Sequence, residues 1–144
     1  MKLKCLGSGS SGNCYALAAD NGETLLLDAG LPIMDIKRGL NWNIKCVVGA
    51  ICTHSHKDHS QSVVDLEVMG IPVFKPYESL EPIAIGKCEW RIQGFDLTTL
   101  DGKWTHTNAD GTECPCYGFL ITHPEMGKLL YITDTEFCKW RLQM

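Results

Sequence analysis

The sequence carries no excess of positive charge: 13 Lys and Arg stand against 17 Asp and Glu, a formal net charge of −4. A global basic field that draws in polyanions is thereby excluded, and any nucleic acid has to be met by local positive charge. Long hydrophobic runs are missing as well. No window reaches the roughly 18 consecutive apolar residues of a membrane helix. Met1 to Ser8 turns to Gly and Ser before an apolar stretch long enough for a secretory signal develops. A cytoplasmic protein without membrane association is expected. Internal repeats and linkers are lacking, and low complexity is confined to one Gly/Ser/Asn loop. With 144 residues, 44% hydrophobic and 21% charged, the expectation is one folded domain over 1–144. Cysteine is plentiful, at eight. In a reducing compartment these read as free and mostly buried thiols rather than a disulfide scaffold.

Short apolar runs broken by Gly, Asn, Asp and Pro predict strands over 2–6, 14–19 and 24–27, with Asn21-Gly22 as a hairpin turn before the third. Ile33, Ile36 and Leu40 fall at helical spacing behind Pro32, which suits a first-turn position. The apolar run from Cys46 to Cys52 is short and contains Gly, as a buried strand would be. Val63, Val64, Leu66 and Met69 resume helical spacing until Gly70 and Pro72 end it. Beyond a short strand at Val73-Phe74, segments 88–92, 95–100, 102–106, 117–122 and 129–133 read as extended, and 136–142 as the start of a helix. Residues 78–85 fit neither pattern.

Between the buried strand and the second helix lies Thr53-His54-Ser55-His56-Lys57-Asp58-His59, which holds three of the five histidines. His-x-His-x-Asp-His would arise by chance in roughly four of ten thousand such chains, so coincidence explains it poorly. His54 and His56 are two apart in an extended segment, leave it on one side, and can reach one metal ion. Asp58 and His59 follow at a helix start and point elsewhere, which suits a second ion about 3.5–4 Å away. A polar loop with exposed histidines is the alternative, but such a cluster directly after a buried strand is wasteful for stability.

This run resembles the signature of the metallo-β-lactamase superfamily, and the resemblance extends over nearly the whole chain. It implies an α+β fold, a four-layer αββα sandwich of two sheets between helices. In that family an Asp at the end of an earlier strand buttresses the metal loop; Asp28 in Leu25-Leu26-Leu27-Asp28-Ala29-Gly30 matches it, although alone it would pass for a turn residue. Gly7-Ser8-Gly9-Ser10-Ser11-Gly12-Asn13 resembles small bacterial and phage members related to a cytosolic DNA exonuclease. That narrower match implies substrate binding by Ser8, Ser10, Ser11 and Asn13; a flexible turn would look the same. The family also supplies a further His, matched by His106, and an Asp bridging both ions, matched by Asp134. His123, before Pro124, is expected in solvent and outside the site.

Two departures stand out. The link from His106 to Tyr117 is longer than the family's and carries Cys114 and Cys116, whose spacing is not that of a zinc knuckle. The family's last histidine, a ligand to the second ion, has no counterpart before Met144. The second site and the second half of the sandwich are therefore expected to be incomplete, the chain to be truncated, and uncovered sheet surface to favour self-association.

The resemblance implies a metal-dependent hydrolase of the di-zinc type. His54, His56 and His106 would hold one ion and Asp58, His59 and Asp134 the other, with a bridging hydroxide as nucleophile and Asp58 also serving catalysis. Manganese or iron could replace zinc. Phosphodiesters such as nucleic acid are the expected substrate class. A metal-binding fragment with little turnover, with one ion if the second site is impaired, is one alternative. A structural zinc module held by cysteines and histidines is another.

Overall fold

The computed structural model describes residues 1–100 and 106–134. Strands β1 (Lys2–Gly7), β2 (Cys14–Ala18) and β3 (Thr24–Leu27) form an antiparallel meander, with the turn between β2 and β3 closed at Gly22, whose φ is +92°. The chain then crosses through helix α1 (Ile33–Gly39) to β4 (Val47–Ile51), parallel to β3. It crosses again through α2 (Lys57–Ser60) and α3 (Val63–Val68) to β5 (Val73–Phe74), parallel to β4. The first sheet thus has five strands in the order β1-β2-β3-β4-β5. Parallel neighbours require crossover connections, and these supply the helices. Pro32 lies just before α1, and its carbonyl accepts from the N–H groups of Asp35 and Ile36.

The second sheet is an antiparallel meander of β6 (Cys88–Ile92), β7 (Phe95–Leu100), β8 (Gly118–His123) and β9 (Gly127–Tyr131). Residues 79–85 form no regular element, in line with their ambiguous sequence pattern. The expected strand at 102–106 lies outside the described residues except for His106, which is not in a strand, and the expected helix at 136–142 lies outside them altogether.

Alternation along the strands divides the core in two. Leu26, Ala50 and Cys52 face the helices and pack with Ile36, Val63 and Leu66. Leu25, Leu27 and Ile51 face the other way, onto Phe95, Leu97, Phe119 and Ile121 of the second sheet. A strand buried on both faces has no polar side, which is why Leu25-Leu26-Leu27 reads as a continuous apolar run. At ~25 cal/mol per Å² of apolar area, each such buried Leu, Ile or Phe contributes roughly 1.5–3 kcal/mol. Among the described residues the layers run helix, sheet, sheet, and the outward face of the second sheet mixes Leu120 and Leu130 with Thr98, Thr122 and Lys128. No helix among the described residues is long and apolar enough to cross a membrane.

Candidate metal centre

The C-terminal ends of the parallel strands β3 and β4 open at one edge of the sandwich, where open α/β sheets commonly place their sites. β3 ends in Asp28 and β4 runs on into Thr53 to His59. Asp28 takes φ +58°, a left-handed conformation that Asp tolerates better than most residues. That turns its fully buried carboxylate back beneath the histidine loop. One oxygen, Oδ1, accepts from the Thr53 backbone N–H at 2.8 Å and the Thr53 hydroxyl at 3.0 Å. The other, Oδ2, accepts from His59 Nδ1 at 2.7 Å and the Tyr131 hydroxyl at 2.8 Å. The buttressing role expected of Asp28 has this geometry. Tyr131, from the second sheet, had no signal in the sequence beyond its inward place on an alternating strand.

A carboxylate only accepts, so it dictates where protons sit on its neighbours. The Thr53 hydroxyl donates to Asp28 and can only accept from His54 Nδ1, 3.0 Å away. His54 therefore carries its proton on Nδ1 and turns a bare Nε2 outward. That atom is fully buried and has no hydrogen-bond partner. His59 likewise donates through Nδ1, and its Nε2 accepts from Asn13 Nδ2 at 3.1 Å. Buried lone pairs without a donor are rare and call for an explanation.

The remaining donors converge on the same place. Nitrogens of His54, His56 and His106 form one group with all ligand atoms within 4.8 Å, and His54, His59 and Asp134 form a second. His54 belongs to both. His56 Nδ1 lies 2.9 Å from His106 Nε2, and Asp134 Oδ2 lies 3.1 Å from His59 Nε2 and 3.8 Å from His54 Nε2. Asp134 follows β9 with φ +44°, the same left-handed turn that Asp28 makes after β3. Neither group contains a cysteine. Imidazole and carboxylate donors closing on a buried, unpartnered nitrogen fit a divalent cation of the zinc type.

Asp58, of the expected second trio, sits beside the second group. Its carboxylate is 3.7 Å from His59 Nε2, although it is in neither set whose ligand atoms all lie within 4.8 Å of one another. It follows the start of α2 at Lys57 and lines a cleft of about 440 Å³ with Ser10, Ser11, Lys57 and Gln61. Of the loop residues expected to bind substrate, Ser10 and Ser11 are exposed there. Ser8 accepts from the Tyr15 hydroxyl at 2.9 Å, and Asn13 accepts from Gly9 N and donates both within its loop, to Gly9 O, and out of it, to His59 Nε2 and Asp58 O. The loop is pinned to the histidines by its backbone: Asn13 N donates to Asp58 O and Gly30 N to Asn13 O. Gly30 permits this approach, since a Cβ there would lie 1.6 Å from Asp58 O.

Burial shifts the protonation of the site. His54 is pushed down to about 3, by desolvation first and then by the charges of His59, His106 and His56. Burial also works against charge on His59, but the hydrogen bond and charge of Asp28, with Asp134 and Asp58, outweigh it and raise His59 above its ordinary value. Beneath the loop, burial foremost pushes the Cys52 thiol up to about 12, and its Sγ contacts the carbonyls of His54 and His59.

Three further placements differ from the sequence expectation or were invisible to it. His123 is buried, not in solvent: its ring packs on Phe95 at 4.7 Å and its Nδ1 accepts from Glu125 N, because the turn at Pro124 folds it inward. It does remain outside the site. Cys116 is buried with its Sγ 3.7 Å from His54 Nδ1. Asn108, in the long link after His106, reaches His56 Nε2 at 2.9 Å.

Residues 7–68 match the family model of the metallo-beta-lactamase superfamily. No curated protein sequence matches the chain significantly. Among solved structures, the metallo-beta-lactamase fold protein YhfI from Bacillus subtilis superposes with a TM-score of 0.65 at 14% identity, covering 95% of this chain and 63% of that one. The short form of human tRNase Z, ELAC1, gives 0.60 at 12% identity, covering 94% and 70%. Zn(2+)-bound PqqB from Methylobacterium extorquens gives 0.59 at 16%, covering 90% and 64%. The fold is therefore the mixed α+β metallo-β-lactamase fold, of which this chain spans about two thirds of the length of its solved counterparts.

Proposed function

We propose that this chain is a metal-dependent hydrolase that cleaves phosphodiesters, with nucleic acid as the leading substrate class. The observation that carries the reading is His54 Nε2, a fully buried lone pair without a hydrogen-bond partner that two sets of donors share. His54, His56 and His106 would hold one divalent ion, and His59 and Asp134, with Asp58 beside them, would hold the other. Zinc suits the imidazole-rich set, with manganese or iron as substitutes. Ions held there supply Lewis acidity toward a phosphoryl oxygen and a water acidified toward a pKa of about 7.

The chain's own residues do the rest. Asp28 holds Thr53, His59 and Tyr131 in one hydrogen-bonded set and so keeps His54 and His59 in the tautomers that turn Nε2 to the site. Lys57, with the Ser10 and Ser11 hydroxyls, lines the adjoining cleft and offers the local positive charge that a net charge of −4 denies the molecule as a whole. Asp58 also lines the cleft, with a carboxylate oxygen 3.7 Å from His59 Nε2, and would serve catalysis there. The family-model match over residues 7–68 and the tRNase Z likeness favour hydrolysis of this kind. The absence of cysteine from both donor groups disfavours a structural thiolate module. Self-association through the second sheet's outer face, a cytoplasmic location and kinship with a DNA exonuclease belong to the same proposal.

Bound metal and hydrolysis of a generic phosphodiester, measured on the wild type and on Asp58→Ala, test it. Uptake of zinc with turnover that the substitution removes supports the reading. A folded chain that takes up no zinc overturns it, and equal rates in the two proteins remove the role of Asp58. Zinc K-edge absorption should find nitrogen and oxygen neighbours; sulfur at about 2.3 Å would favour the structural module instead.

A further inference from the structure

The long link after His106 contains a hydrogen-bonded chain that starts at a carboxylate and ends on a histidine of the site. Thr107 and Glu113 form a β-bridge, and Asn108 N donates to Thr112 O at 2.8 Å, so segment 107–113 closes on itself. Within it, Asp110 Oδ1 accepts from the Thr112 hydroxyl at 2.6 Å and from Thr112 N at 3.0 Å. The Thr112 hydroxyl has thus spent its only proton and can only accept from Asn108 Nδ2, 3.0 Å away. Asn108 Nδ2 also points at the Glu113 carbonyl at 3.4 Å, a second group that only accepts.

The orientation of the Asn108 amide follows. Its NH2 must face Thr112 and Glu113, so the atom 2.9 Å from His56 Nε2 is Oδ1, an acceptor. His56 must then carry a proton on Nε2. Its bare nitrogen is Nδ1, the atom that lies 2.9 Å from His106 Nε2 within the donor group. Reversing the amide would set its NH2 against the imidazole and its oxygen against two acceptors at once.

The geometry points to Asn108 as a positioning residue that, held by Thr112 and Asp110, locks His56 in the Nε2–H tautomer and presents Nδ1 to the ion. Groups hydrogen-bonded behind a metal-ligating histidine fix its ring and raise its basicity, and their loss commonly weakens metal affinity about 10–100-fold. The link is accordingly part of the site, with a task that neither its length nor its two cysteines reveal. The inference rests on the proposed metal site, but the tautomer itself can be read without metal.

Long-range proton–nitrogen NMR of the full, metal-free chain, at a pH where the rings are neutral, reports which nitrogen of His56 is protonated. The wild type should show Nε2–H. Asn108→Leu should lose that preference, and its zinc affinity, measured by competition with a chromophoric chelator, should fall about 10–100-fold. Thr112→Val frees the amide to reverse and should give a smaller loss of both; it carries the test if Asn108→Leu fails to fold. A folded Asn108→Leu or Thr112→Val with the wild-type tautomer and zinc affinity overturns the inference. Zinc uptake by a wild type protonated on His56 Nδ1 overturns it while sparing the metal site. A wild type that shows Nε2–H but takes up no zinc upholds the lock and overturns the metal site.

Discussion

Replacing Asp28 by Asn separates stability from metal binding in a way the hydrogen-bond pattern dictates. The carboxylate serves four donors, two on each oxygen. An amide keeps one acceptor, and the Thr53 backbone N–H cannot change its role, so the Asn oxygen stays there. Its NH2 then faces His59 Nδ1 and the Tyr131 hydroxyl. Both can adapt: the hydroxyl rotates to accept, and His59 moves its proton from Nδ1 to Nε2. The protonated Nε2 can donate to Asp134 but no longer accepts from Asn13 Nδ2, so the cost in stability should be about 1–2 kcal/mol, near that of a single hydrogen bond. The proton on Nε2, however, now blocks the nitrogen that faces Asp134. Zinc affinity of that group should drop about 10–100-fold. Asp28→Ala leaves the same donors buried and unpaired and should cost about 3–5 kcal/mol. Urea unfolding of the metal-free proteins gives the first quantity and isothermal titration with zinc the second. Asp28→Asn that binds zinc as tightly as the wild type, or that unfolds as readily as Asp28→Ala, would refute this reasoning.

Other outcomes follow from the same contacts. In Gly30→Ala the new Cβ meets backbone atoms of Asp58 rather than a flexible side chain, so destabilisation at or above the ~3 kcal/mol end of overpacking costs is expected in urea unfolding, together with weakened zinc uptake. Because His54 is depressed to about 3, the unfolded chain binds a proton there that the folded chain refuses, and metal-free stability should fall as pH drops from about 6.5 toward 3. His59 is raised, so its contribution has the opposite sign: present below about 6.5 and lost as pH climbs through its folded value. Chemical unfolding across pH should show His54→Gln flattening the acid limb and His59→Gln the alkaline one. Zinc at 100 times its dissociation constant should stabilise the wild type by about 2.7 kcal/mol, visible as a rise in melting temperature, and His54→Ala should shrink that rise because the His54, His56 and His106 group loses a ligand.

Local pattern carried far in this chain. The alternation or apolar run in 24–27, 88–92 and 95–100 marks strands that the structure keeps to the residue, and the helical spacing of Ile33, Ile36 and Leu40 marks α1. The histidine run was equally legible, since covalent proximity brings His54, His56 and His59 within reach of one another whatever the rest of the chain does. His123 misled because Pro124 beside it speaks for a turn, and nothing local says that the turn packs inward on Phe95.

What the sequence by itself determined is the set of elements and the residue types at the end of β3, after β4, after the second sheet and in the link behind His106. Only the tertiary structure decided that these ends meet. The parallel pairing of β3 with β4 sets Asp28 under Thr53, the packing of one sheet on the other brings Tyr131 to Asp28 and Asp134 to His59 across most of the chain, and a closed loop turns Asn108 onto His56. The physical reason is one of range. Propensity and periodicity act over a few neighbouring residues, whereas the direction of a hydrogen bond, and with it the nitrogen each histidine leaves bare, is set by partners that only folding brings together.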